Sequence, residues 1–92
     1  MRTPFHARQF QKDVKRLQKS GKRDMAKLKH VIRALIEETP LDKSYLDHPL
    51  KGYFKGRREC HIAPDWLVVY KLDDEESVII FERTGSHADL FG

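Results

Sequence analysis

The stretch Arg57-Arg58-Glu59-Cys60-His61-Ile62-Ala63-Pro64-Asp65-Trp66-Leu67-Val68-Val69-Tyr70-Lys71-Leu72 decides the fold. Up to Ile62 polar and apolar residues alternate, which marks a strand with one covered face. Trp66 to Leu72 is nearly continuous apolar, as expected of a central strand covered on both faces. Ala63-Pro64-Asp65 joins the two as a turn. Asp73-Asp74-Glu75-Glu76 makes a second polar turn, and Ser77 to Arg83 returns as a third strand. On it Val78 and Ile80 serve one face and Ile79 and Phe81 the other. The result is a meander of three antiparallel strands, with Arg83 extending the row of Ile79 and Phe81.

On the N-terminal side, Ala7, Phe10, Val14 and Leu17 recur at helical spacing, with Lys12, Lys15, Arg16 and Lys19 on other faces. This amphipathic helix ends near Ser20-Gly21. Asp24 then serves as N-cap for a second helix whose apolar positions are Met25, Leu28, Ile32 and Leu35, widened by Val31 and Ile36 and stopped by Thr39-Pro40. A short loop between them makes a helical hairpin. Residues before Ala7 suit a short edge strand interrupted by Pro4, and Leu41 to Gly56 reads as a structured loop. At the other end, Ser86 followed by Asp89 resembles a capping box, so a final helical turn starts at His87 and ends at Phe91. Residues 1–92 therefore read as a single α+β domain: an N-terminal helical hairpin, a meander of antiparallel strands and a short C-terminal helical turn.

The formal charge of +4 conceals a polarity along the chain. From Met1 to Arg58 sixteen Lys and Arg stand against six Asp and Glu, and from Glu59 onward two stand against eight. So dense a basic surface favours polyanions through counterion release, while the acidic remainder argues against coating a membrane. Cys60 is the only cysteine, and it falls on the apolar alternation of its strand, which argues against a nucleophilic role. Neither a signal-peptide core nor a long apolar run is present, so the expected location is cytoplasmic, with no membrane partner.

Chemistry-bearing residues gather at element ends in the second half: His48, His61, Asp65, Arg83 and His87. Imidazoles that titrate near neutrality beside a permanently charged guanidinium suit acid-base chemistry on a phosphodiester. No His-x-x-x-His, Cys-x-x-Cys or acidic ladder occurs, so no metal site and no cofactor are expected. His61 and Asp65 stand at one end of the sheet, on the same face or on opposite faces according to the alternation. His6 and His30 are read as lying on helices and receive no role.

The segments Asp47-His48-Pro49-Leu50-Lys51-Gly52, Arg58 through Tyr70, Glu82-Arg83-Thr84-Gly85-Ser86-His87 and Leu90-Phe91-Gly92 together resemble the YafQ toxins. These are a branch of the RelE superfamily of bacterial toxin-antitoxin ribonucleases. Gln11-Lys12-Asp13-Val14-Lys15 and Met25-Ala26-Lys27-Leu28-Lys29 also fit the family's helical half, so the resemblance spans nearly the whole chain. It implies a RelE-like fold, a helical hairpin packed on a twisted antiparallel sheet akin to a compact microbial ribonuclease, and cleavage of mRNA in the A site of the 70S ribosome. It also implies inhibition by a cognate, DinJ-like antitoxin, with operator DNA contacted only through the antitoxin complex. By motif, the family's catalytic positions fall on His48, His61, Asp65, Arg83 and His87, with Phe91 against the RNA; Ser86 and Asp89 depart conservatively.

Metal-free RNA cleavage requires a base for the 2′-OH, a counter-charge for the nonbridging oxygens and an acid for the leaving 5′-oxygen. Arg83 suits the second task. His87 is expected to be the acid, Asp65 with His48 or His61 the base and its orienter, and Phe91 a stacking surface for a nucleobase. Lys51, Lys55, Arg57 and Arg58 are expected to contact RNA near the cleft. Lys12, Lys15, Lys19, Lys22 and Arg23 are expected to hold ribosomal RNA through phosphates, and the loop of Tyr45, Tyr53 and Phe54 to influence codon choice. The competing expectation is a noncatalytic member of the superfamily that binds a topoisomerase such as gyrase, which has no use for the histidines. A plain DNA-binding domain fares worse, because no helix-turn-helix pattern is convincing.

Overall fold

In the computed structural model, which describes residues 1–73 and 75–92, the predicted meander forms the middle of a five-stranded sheet. Asp74, within the second expected turn, lies outside the described residues. In chain order the elements are β1 (Thr3–His6), α1 (Arg8–Ser20), α2 (Met25–Glu37), β2 (His48–Pro49), β3 (Arg58–Ala63), β4 (Trp66–Asp73), β5 (Val78–Gly85) and α3 (His87–Phe91). Single 3₁₀ turns at Lys43–Tyr45 and Gly52–Phe54 lie in the long loop. The spatial strand order is β1-β5-β4-β3-β2.

α1 stops and α2 starts for local reasons that the sequence carries. Gly21 ends α1 in a left-handed conformation, and the Asp24 side chain accepts from the Ala26 N–H at the start of α2. Their apolar stripes cover one face of the sheet: Phe10, Leu17, Leu28, Val31 and Leu35 meet Cys60 and Ile62 of β3, Trp66, Val68 and Tyr70 of β4, and Ile79 and Phe81 of β5. Alternation then sends Glu59 and His61 of β3, and Leu67 and Val69 of β4, to the other face. That second face is the one that α3 and the 50–57 loop flank, with Phe54, Leu90 and Phe91 beside Val69.

Three features correct the sequence reading. First, β1 pairs with β5 in parallel, Phe5 opposite Ile80, so the sheet is antiparallel only from β5 to β2. Pro4 is tolerated because β1 is an edge. Second, His48-Pro49 is not loop but a two-residue edge strand, His48 opposite Glu59. Third, Arg83 does not continue the row of Ile79 and Phe81. Tyr70 pairs with Phe81 but Val69 pairs with Arg83, so Glu82 is an extra residue in β5, a β-bulge. The bulge advances the alternation by one and carries Arg83 to the Val69 face, with its guanidinium still hydrogen-bonded to Asp13 of α1.

Candidate active site

Bulge, edge strand and C-terminal helix bring one group of side chains onto the open face. Glu59 and His61 arrive two residues apart on β3, and His48 enters from β2 opposite Glu59. His87 begins α3, which is fastened by a true capping box: the Ser86 hydroxyl accepts from the Asp89 N–H and the Asp89 carboxylate accepts from the Ser86 N–H. An ion pair between Arg16 and Asp89, 3.4 Å, ties α3 to α1.

Asp65, in the β3–β4 turn, accepts from both the backbone N–H and the ring Nδ1 of His87, each at 3.2 Å. These hydrogen bonds hold the Asp65 carboxyl below its ordinary value of 3.8, the backbone one contributing most. With Nδ1–H spent on Asp65, the Nε2 of His87 is left for other partners. Nε2 of His48 meets Glu59 at 3.1 Å, while its Nδ1 meets the Leu46 carbonyl. A carbonyl only accepts, so Nδ1 of His48 carries a proton. The His61 ring lies between the other two, with centroids 6.2 Å from His48 and 5.7 Å from His87, and its Nδ1 is buried without a partner among the described residues.

From His87 a run of rings continues through Phe91 (6.3 Å), Phe54 (5.0 Å) and Tyr53 (5.3 Å). Tyr53 is almost wholly exposed. These aromatics rim a cavity of about 490 Å³ floored by Val69, Glu82 and Arg83, with Arg57 paired to Glu82. Arg83 is held by the Asp13 carboxylate, whose hydrogen bonds raise the guanidinium above its ordinary value, so it is a permanent cation at the cavity wall.

His48, His61, Asp65, Arg83, His87 and Phe91 thus lie on one side of the molecule, Arg57 lines the cavity, and Lys51 and Lys55 flank the Gly52–Phe54 turn. Two expected contacts fall elsewhere. Arg58 pairs with Tyr70 on the helix side of the sheet, where its Nε donates to Tyr70 and Asp47 at 3.3 Å, so it is turned away from the cleft. Arg23 donates to the Asp65 carbonyl at 2.9 Å and lies over the Trp66 ring, bracing the turn. Lys12, Lys15 and Lys19 form an exposed row on α1 with Arg16, and Lys22 is exposed in the following loop. Tyr45 packs on the core.

Asp65 sits with His87 and not with the base candidates, and Glu59 takes the place beside His48 that the sequence reading gave to Asp65. The sequence did hold a signal for Glu59: it stands two positions before His61, hence on the same face of a strand. One donor atom each from Glu59, His61 and His87 lie within 4.8 Å of one another. This carboxylate with two imidazoles could hold a divalent transition ion.

A family model described as bacterial toxin of type II toxin-antitoxin system, YafQ, matches residues 2–92. The chain belongs to the YafQ toxin family. This YafQ-family chain is 53% identical over 85 residues to the mRNA interferase toxin YafQ of Escherichia coli K12, covering 91% of this chain and 89% of that one. Its fold matches a chain of the Escherichia coli DinJ-YafQ complex with a TM-score of 0.89 at 47% identity, covering 100% of both chains. A metal-bound toxin from Helicobacter pylori matches with a TM-score of 0.89 at 44% identity, over 99% of this chain and 100% of that one.

Proposed function

We propose that this chain is a ribosome-dependent mRNA interferase: an endoribonuclease toxin that cuts mRNA in the ribosomal A site by acid-base catalysis, stops translation and is neutralised by a DinJ-like antitoxin. The observation that carries the proposal is the grouping of Glu59, His61 and His87 within 4.8 Å of one another on the face where Arg83 also stands. A scissile phosphate at that focus has a proton acceptor, a proton donor and a fixed cation within reach, with no step that needs a metal.

In this mechanism His87 protonates the departing 5′-oxygen through Nε2, while Asp65 keeps Nδ1–H engaged and the ring oriented. Glu59, charge-compensated by His48, accepts the 2′-OH proton, and the 2′-oxygen attacks phosphorus as the bond to the 5′-oxygen breaks. Arg83 takes the charge that builds on the nonbridging oxygens, and His61 adds a hydrogen bond beside them. The products are a 2′,3′-cyclic phosphate and a 5′-hydroxyl. Phe91, Phe54 and Tyr53 offer stacking surfaces to the flanking nucleobases, with Lys51, Lys55 and Arg57 steering the backbone.

The exposed row Lys12, Lys15 and Lys19, with Lys22, is the proposed contact to ribosomal RNA; Arg16 of the same row reaches α3, so the basic face adjoins the site. Operator DNA is reached only through the antitoxin complex. Among the described residues no helix is long and apolar enough to cross a membrane, and the proposed place of action is the cytoplasm.

The test is to map 5′ ends of cellular mRNA shortly after induction, for the native sequence and for His87→Ala. Codon-phased ends with the native sequence alone support the proposal. Growth arrest without new ends, or persisting with a folded His87→Ala protein, favours toxicity by binding, as for a topoisomerase inhibitor.

A further inference from the structure

Asp13 breaks the apolar stripe of α1. It lies between Phe10 and Leu17 on the buried side and is 1% exposed, yet it carries a carboxylate. A lone buried carboxylate is strongly disfavoured, so its partners indicate what it is for. Oδ2 accepts from Arg83 Nε at 2.8 Å and from the Thr84 N–H at 3.1 Å; Oδ1 accepts from Arg83 Nη2 at 3.3 Å and from Gln9 at 3.2 Å.

Sheet topology gives the reason for the contact. The last pair between β1 and β5 is His6 with Phe81, so beyond Phe81 the outer edge of β5 has no strand beside it. Backbone N–H groups there need another acceptor, and Asp13 supplies one to Thr84. It thereby pins the bulged segment that turns Arg83 to the open face.

Its hold on Arg83 is sided. Nε and Nη2 are engaged, while Nη1 makes no hydrogen bond among the described residues, and the Arg83 side chain stays one-third exposed on the cavity wall. An apolar residue at position 13 would fill α1 as well, but it would leave the guanidinium free to rotate.

We infer that Asp13 is a positioning residue for RNA cleavage, clamping one edge of the Arg83 guanidinium so that the opposite edge faces the nonbridging phosphate oxygens. This rests on the ribonuclease reading above and assigns a catalytic consequence to a helix residue that never touches substrate.

The experiment is single-turnover cleavage of a defined mRNA on programmed ribosomes, comparing the native sequence, Asp13→Asn, Arg83→Ala and the double variant, with melting temperatures measured alongside. Asp13→Asn is expected to slow the cleavage step about tenfold or more while apparent affinity for the ribosome holds, and to cost nothing further in the Arg83→Ala background. A folded Asp13→Asn protein that cleaves at the native rate overturns the inference, as does an equal additional loss on top of Arg83→Ala. A readout that needs no variant at position 13 is the Arg83 side-chain NMR signal, assigned by its absence in Arg83→Lys. A slowly exchanging, rotationally hindered Nε–H supports the clamp, and rapid averaging like that of surface arginines contradicts it. If the native protein leaves mRNA intact while that signal is hindered, the ribonuclease reading is what has failed.

Discussion

Asp65 and His87, far apart in sequence, meet as one hydrogen-bonded pair. Two hydrogen bonds from His87, one of them backbone, keep the carboxylate in place and ionised. Asp65 is largely exposed in its turn, so its replacement should barely alter stability, whereas the orientation of His87 depends on it. Asp65→Asn is expected to slow cleavage on the order of a hundredfold with an almost unchanged melting temperature. Measured single-turnover rates near the native value would remove Asp65 from the mechanism. At this scale the sequence pointed to residues that the fold brings together but was blind to their pairing. It named Asp65 and His87 but linked Asp65 to the base, because the partner of a turn residue is set by how α3 folds back. Glu59 was passed over although its spacing from His61 placed it correctly.

The elements deliver the residues, and a single inserted position has the largest effect. Counting by twos along β5 joins Arg83 to Ile79 and Phe81. The bulge at Glu82, which no local composition announces, sends it to the opposite face. The parallel pairing of β1 was equally hidden, since strand direction is decided by the chain's route through α1 and α2 and not by the four residues themselves. Helix limits, by contrast, were read closely, because Gly21, Asp24 and Ser86 act on the backbone beside them.

The same locality makes α3 the element to perturb. A Cβ built on Gly85 would lie 2.9 Å from the Asp89 carboxylate and 3.1 Å from the Arg16 guanidinium. Gly85→Ala therefore displaces Asp89, loosening both the capping box, worth about 1 kcal/mol, and the bridge to α1. Cleavage is expected to fall while global stability changes little, with amide exchange of α3 accelerated relative to β4. Unaltered exchange in α3 would show that the cap tolerates the methyl group. Both Asp65 and Asp89 are held below 3.8, chiefly by the N–H groups of His87 and Ser86. A depressed carboxylate contributes stability in full above its unfolded value and loses it as pH falls through the folded one. Protection of α3 amides, corrected for intrinsic exchange, should accordingly hold from neutrality down to pH 3.8 and decline below it; a decline already near neutrality would point to the histidines instead.

On the scale of the molecule, the two faces of the sheet have separate tasks. One is filled by the helical hairpin and gives the small domain its core; the other stays open and carries the proposed site. The charge asymmetry follows this division, with the exposed row of α1 joined to the site through Arg16 and Asp89. Replacing Lys12, Lys15 and Lys19 together with Gln is expected to weaken ribosome binding and to flatten its logarithmic salt dependence by about two to three. Cleavage within complexes formed at low salt should remain native, and an unchanged salt slope would place the ribosomal contact elsewhere.

The central claim is that Glu59, His61, Arg83 and His87 converge on one ribose-phosphate linkage and break it through its own 2′-hydroxyl. Its most direct test is cleavage of a ribosome-bound mRNA carrying a single deoxyribose at the mapped cut, beside the all-ribose control. The control should yield a 2′,3′-cyclic phosphate and a 5′-hydroxyl, and the deoxy substrate should stay whole at that position. Scission of the deoxy linkage, or 5′-phosphate ends from the control, would contradict the account.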